Sequence, residues 1–440
     1  MRRKIVSLLV SFLAMSSVSF AKDQTNIIAS KNPGLDGSSS LKPVIKMRMR
    51  ASVDLTWADT DESKEEDKVD NVGMYIPEVR LGAIGKVGRW TGKVDVGLTS
   101  GEVSLKDVFI GYSFNKANYF TLGYFIPRFG INGSTSSTSK PTYQDPVSTH
   151  EFGDRRSPGL SFVHEKDAIY WVVIAHTENA VMKNTLDKLG SMGWGAMTTF
   201  DYRFMREKGR FLQAGIAFDW SRPTFNKNEK YNHSSFTFTD NFPFSTSGYY
   251  AYYFMVTDAK NKYKFAPELQ LGFGKWAFEG QYYFQFIQRE KYNGFVRTDG
   301  QGTIDKLGTY FSHGGYGSLR YMIKGSAYEF DCASSGIETP GNGEMELVLG
   351  YNYTHMNDEK SYNYDPEKNT LTPILGGNLH DISLTWNYYI NKHIVWRVRG
   401  SWTKIYDRGE NILSDVSAIS QRTTGSLAFY GIQTRLQIKF

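Results

Sequence analysis

A closed antiparallel β-barrel that crosses a membrane with about sixteen strands is the fold class this sequence predicts; eighteen is the alternative count. Three observations carry it. From Ile45 to Trp57, the residues Ile45, Met47, Met49, Ala51, Val53, Leu55 and Trp57 share one face, and Lys46, Arg48, Arg50, Ser52, Asp54 and Thr56 share the other. The last thirteen residues, Ala428 to Phe440, repeat the pattern, with Tyr430, Ile432, Leu436, Ile438 and Phe440 opposite Gln433, Arg435, Gln437 and Lys439. Successive strand residues point to opposite sides of a sheet, so an apolar and a polar face suit a wall between lipid and water. Second, aromatics make up 15% of the chain and glycine 42 residues against only 13 prolines, a composition that favours strands. Third, the longest purely apolar run beyond the N-terminus is Ala168 to Ala175, far short of the ~20 residues a spanning helix needs.

The N-terminus reads as a secretory signal over residues 1–21. Arg2, Arg3 and Lys4 precede an apolar centre from Ile5 to Met15, and Ser19-Phe20-Ala21 is a small-x-small cleavage site. Residues 22–43 are polar and rich in Ser and Gly, and are expected to form a flexible or plug-like leader. Cys332 is the only cysteine, which excludes an intrachain disulfide framework and, lying far from the cleavage site, a lipoprotein anchor. Once the signal's three bases are removed, Lys and Arg barely outnumber Asp and Glu, so net charge does not select a partner.

Residues 44–440 then read as one barrel. After 45–57, candidate strands recur near 72–87, 90–98, 103–114, 118–125, 158–164, 168–177, 193–203 and 210–219. Further ones lie near 247–256, 264–274, 275–289, 310–324, 344–356, 378–389, 394–406 and 426–440. The raw count is one more than sixteen, and the alternation cannot be followed through 257–345; barrels of this kind normally have an even number. Tight turns such as Gly88-Arg89 and Asn391 to His393 alternate with long polar loops at 58–71, 178–192, 221–246, 357–377 and 407–425. Trp57, Tyr124, Trp220, Tyr351, Trp386, Tyr388 and Trp402 lie near strand ends, where interfacial girdles belong.

Charge on the polar faces carries the chemistry. An open sheet edge cannot persist in lipid, so the first strand must pair with the last. Closure gathers Lys46, Arg48 and Arg50 with Arg435 and Lys439, flanked by Arg397 and Arg399 on the penultimate strand and by Arg80 and Lys86 on the second. An unpaired buried charge costs several kcal/mol or more, so such a wall belongs beside water, where it would concentrate anions. Glu78, Asp54 and the acidic loop Asp59 to Asp70 could supply counter-charge. The connection at about 126–157 is too long for a plain loop and is expected to fold inward and narrow the lumen. Its Arg128, Lys140, Arg155 and Arg156 could line that constriction, where guanidinium groups suit oxyanions; pairing with Glu151 and Asp154 is the alternative.

The segments Leu122-Gly-Tyr-Phe-Ile-Pro-Arg-Phe-Gly130 and Phe152-Gly-Asp-Arg-Arg-Ser-Pro-Gly-Leu160 resemble the phosphate-selective porin O and P family. Gly314-Gly-Tyr-Gly-Ser-Leu-Arg-Tyr-Met-Ile-Lys-Gly325, Gly343-Glu-Met-Glu-Leu-Val-Leu-Gly-Tyr351 and the closing Leu436-Gln-Ile-Lys-Phe440 extend the resemblance over most of the chain. It implies a sixteen-stranded, trimeric porin of the Gram-negative outer membrane, with bases along an anion path and a constriction loop at 126–157. The terminal Phe440 also resembles the signal by which the barrel-assembly machinery recognises its clients. No Walker A, HExxH or GxSxG motif, metal-ligand spacing or nucleic-acid-binding module is present, and no cofactor is expected. His355 and Asp358 are the only hint of a barrel enzyme. The expected function is passive diffusion of small hydrophilic solutes with a preference for anions such as phosphate. A non-conducting structural or adhesion barrel displaying its loops is the competing reading.

Overall fold

The computed structural model describes residues 43–60, 71–99, 102–135, 139–142, 145–177, 190–226, 234–243, 250–289, 295–296, 303–304, 307–332, 336–365, 370–409 and 424–440. The expected signal peptide, nearly all of the leader at 22–43 and most of the acidic loop Asp59 to Asp70 lie outside the described residues.

The wall begins with β1 (Val44–Thr60), β2 (Asn71–Val87), β3 (Trp90–Thr99), β4 (Glu102–Ser113), β5 (Asn118–Phe125), β6 (Ser157–Lys166), β7 (Ile169–Thr177) and β8 (Trp194–Glu207). It continues with β9 (Arg210–Ser221), β10 (Ala259–Phe273), β11 (Trp276–Arg289), β12 (Tyr310–Lys324), β13 (Glu344–Asp365), β14 (Thr370–Tyr389), β15 (Ile394–Arg408) and β16 (Gly425–Lys439). Each strand pairs antiparallel with the next and β16 returns to β1, closing a sixteen-stranded barrel. Among the described residues no helix is long and apolar enough to cross a membrane.

The alternation read from the sequence is the alternation of the wall. Ile45, Met47, Val53, Leu55 and Trp57 are exposed on the outside of β1, whereas Asp54 and Thr56 are buried on the inside. Ile432 and Leu436 of β16 are likewise exposed outward, and Gln433 is buried inward. The seam sets Arg50 opposite Lys439 and Asp54 opposite Arg435. Met49 and Phe440 close it by exchanging backbone hydrogen bonds of 3.1 and 2.8 Å.

Two of the β-bulges in this wall adjust β1–β4. Ser52 faces Glu78 but Asp54 faces Tyr75, so Pro77 sits in the extra stretch of β2, where a missing N–H costs no ladder bond. Val94 faces Val108 but Val96 faces Leu105, so Lys106 and Asp107 share the place opposite Asp95.

Three expectations are corrected. The candidate strand at 247–256 is not part of the wall: Tyr250–Thr257 pairs with Ser235–Asn241 in a separate hairpin inside the connection from β9 to β10. The expected loop at 357–377 is mostly strand, since β13 and β14 run on to Asp365 and from Thr370. Tight turns do not make up the whole of one end, because residues 325–343 form a long connection there between β12 and β13.

Three segments place side chains against the inner face. The 126–156 connection carries α1 (Gly130–Ser134) and α2 (Val147–Phe152), and Phe129 and Phe152 stack on Tyr283 of β11 at 6.1 and 5.5 Å. In the 235–257 hairpin, Phe254 stacks on Phe238 at 4.8 Å and meets Tyr310 of β12, and Tyr252 hydrogen-bonds Thr354 of β13. At the turn end, Tyr328 gives its hydroxyl hydrogen to Glu346 at 2.8 Å, Phe330 meets Phe211 of β9, and Ile337 is buried. These contacts fall on β9–β13, and Phe242 of the β9–β10 connection also packs on Phe429 of β16 at 4.3 Å.

Candidate functional site: the charged wall of the lumen

On the other side, β1–β4 and β16 present charge. Arg50 and Arg80 each lie 2.7 Å from the carboxylate of Glu78, and Arg48 lies 3.7 Å from Asp95. With Lys439, these three arginines and Asp95 line a recess between β1, β2, β3 and β16. The Nε atoms of Arg50 and Arg80 donate to no protein group. Arg435 grips Asp54 with two bonds of 2.7 Å across the seam, and Asp54 is fully buried. Lys46 is exposed and Lys86 half-buried toward the turn end of β1 and β2.

The two arginines of β15 take other partners, although Arg397 lies opposite Arg435 in register. Arg397 donates to the Thr142 carbonyl of the 126–156 loop at 3.1 Å. Arg399 makes a bidentate pair with Asp381 at 3.0 Å and donates to Pro243 and Gln433. Both are buried under inserted chain, so the nine bases gathered by the sequence reading do not form one continuous surface.

The four bases of the loop end up in four places. Arg128 hydrogen-bonds the Tyr170 hydroxyl on β7. Lys140 pairs with Asp145 inside the loop at 2.7 Å. Arg155 is exposed and donates to the Thr239 carbonyl of the hairpin at 3.4 Å. Arg156 reaches the wall and pairs with Asp107 of β4 at 2.8 Å.

The sequence reading did not single out Lys93, Asp95, Lys106 or Asp107. Lys93 Nζ sits 2.6 Å from Asp107 and 3.2 Å from Asp95, which makes Arg48, Asp95, Lys93, Asp107 and Arg156 one continuous ladder. Gly82 permits it: a Cβ there would lie 1.9 Å from the Asp95 carboxylate. The signal was present in Lys93-Val94-Asp95 and Lys106-Asp107, but a bulge that turns adjacent residues to one side defeats simple alternation.

Loop carboxyls differ with their surroundings. Burial pushes the Asp145 carboxyl up, and the Lys140 ammonium outweighs it, so the group rests below the ordinary carboxylate range. Glu151 on α2 is buried, faces Asp240 of the hairpin and is only weakly relieved by Arg155, which holds it well above that range. Burial also raises Asp240, against the opposing effect of His150, 3.6 Å away. Lys264 of β10 anchors the end of α2 through the Phe152 carbonyl at 3.1 Å and Asp154 at 2.5 Å. His355 and Asp358 serve other contacts: His355 stacks beside His313, and Asp358 accepts the Phe311 N–H at 2.8 Å. Among the described residues no group of His, Cys, Asp or Glu is arranged to hold a metal ion.

The family model described as phosphate-selective porin O and P matches residues 45–411. No curated protein sequence matches the chain. Among solved structures, a loop-L8 deletion mutant of OmpT, an outer membrane protein of Vibrio cholerae, superposes with a TM-score of 0.52 at 11% identity, covering 90% of this chain and 99% of that one. OmpT in its trimer form gives 0.51 at 11% identity, with the same coverage. An anion-selective porin from Comamonas acidovorans gives 0.52 at 9% identity, covering 91% of this chain and all of that one. At these identities the likeness is one of fold.

Proposed function

Because the chain belongs to the phosphate-selective porin O and P family and is a multi-pass β-barrel porin of the Gram-negative outer membrane, we propose that its solute path follows the charged wall of β1–β4 and β16 and prefers anions. The observation that carries this reading is the distribution of material in the lumen. Apolar inserts pack mainly on β9–β13 and meet β16 at Phe429, whereas β1–β4 and the C-terminal end of β16 are lined by Arg48, Arg50, Arg80, Lys106, Arg156 and Lys439, with fewer acids between them. Lys46 and Lys86 add positive charge at the turn end, the periplasmic mouth in barrels of this type.

Passage is passive diffusion. Guanidinium and ammonium groups replace part of an anion's hydration and raise its local concentration, while Glu78, Asp95 and Asp107 keep each site weak enough for release. In this reading the inserted loop narrows the path, with Asp145 near Arg435 of the wall. The guanidinium groups of Arg50 and Arg80, brought together on Glu78, suit phosphate and similar oxyanions. A homotrimer surrounded by outer-membrane lipid and assembled through recognition of Phe440 fits this reading, and the OmpT neighbour has a trimer form.

A second reading, a non-conducting barrel displaying its loops, draws on the aromatic packing across the lumen. Planar-bilayer recording separates the two. The first reading expects steady conductance, and replacing Arg50 and Arg80 together by Gln should lower anion-over-cation permeability severalfold while the barrel still folds. Folded protein that never conducts would favour the second reading; unchanged permeability in the double variant would remove these arginines from the path.

A further inference from the structure

We propose that Asp107 is a specificity-determining residue, setting the strength of the anion-attracting field by neutralising Lys93 and Arg156 where the inserted loop rejoins the wall. This rests on the solute path proposed above. The bulge in β4 turns Asp107 inward beside Lys106, opposite Asp95. Its two carboxylate oxygens divide between Lys93 at 2.6 Å and Arg156 at 2.8 Å. The side chain of Asp107 is 13% exposed and that of Arg156 20%, so the pair borders water rather than lying in the apolar packing.

The two bases are not equivalent. Lys93 retains Asp95 at 3.2 Å if Asp107 is neutralised. Arg156 has Arg80 and Lys106 as charged neighbours, and loses its carboxylate partner. Removing the Asp107 charge therefore adds one uncompensated positive charge to the path without stripping Lys93 of counter-charge. A unit charge about 8 Å from a permeating ion in water changes its local concentration roughly two- to threefold.

The test is the reversal potential of single channels in a KCl gradient. D107N should raise the anion-over-cation permeability ratio about four- to ninefold, since the added charge favours anions and disfavours cations by the same factor, and D107N/R156Q should return it to the wild-type value, because that variant has the wild-type net charge. A residue that only fixed the loop stem would alter open-channel noise in both variants without this rescue. If D107N does not fold, R156Q and D107N/R156Q make the same comparison, since they differ only at position 107, and the ratio must be higher in the double variant. An unchanged or lowered ratio on removing Asp107 overturns the proposal. The R50Q/R80Q variant distinguishes its failure from failure of the path: if that variant shifts selectivity and D107N does not, only the role of Asp107 is lost.

Discussion

Asp54 and Arg435 show how little of a charged residue's role is visible in its identity alone. The sequence places Arg435 on the polar face of the last strand, as one base of a wall. Across the seam it is half of a bidentate pair whose carboxylate is fully buried. Removing one member of such a pair strands the other charge and typically costs about 3–5 kcal/mol, whereas replacing both is far milder. R435Q should therefore lower the urea midpoint of barrel unfolding strongly, and D54N/R435Q should recover most of the loss; equal losses in the single and double variants would contradict a coupled pair. Arg397 and Arg399 make the same point. Their inward face was legible from Trp396, Val398 and Trp402 on the opposite side, but Thr142 and Pro243 lie far away in sequence and Asp381 on the neighbouring strand, and no local pattern reports these partners.

At the scale of elements, strict alternation made β1 and β16 legible, and turn residues located most of the other strands. The misassigned element is Tyr250–Thr257. Its composition is that of a wall strand, yet Ala251, Tyr252, Phe254 and Val256 are all buried because it packs inside the barrel beside Ser235–Asn241. Strand propensity reports a pleated surface to pack on and cannot say which surface. The hairpin meets α2 through Glu151 and Asp240, with Asp145, His150, Arg155, Tyr252 and Tyr310 as the other titratable neighbours. Both carboxyls are raised in the folded protein, so this contact contributes most below their ordinary range near 4 and weakens as pH rises through the raised values. E151Q mimics the protonated group. Its unfolding midpoint should match the wild type at acidic pH and exceed it increasingly toward pH 8, and a constant difference would show that Glu151 does not titrate in this contact.

For the whole molecule, the barrel class followed from the absence of a spanning helix together with two amphipathic terminal strands. The filling of its interior did not, since it arises where three connections turn inward and pack against strands far from them in sequence. Residues 325–343 fell in the stretch where alternation was lost, and Tyr328 is fixed there by Glu346, which also accepts from Arg320, Asn387 and Tyr389. Along the proposed path, the charged stretch of β1–β4 and the C-terminal end of β16 borders water, and bases prevail there only after Glu78, Asp95 and Asp107 have offset part of their charge. The most direct test is the reversal potential of the wild-type channel across a KCl gradient in a planar bilayer. Anion selectivity that weakens with ionic strength, as screening of the wall requires, is the predicted result; a cation-selective reversal potential would contradict it.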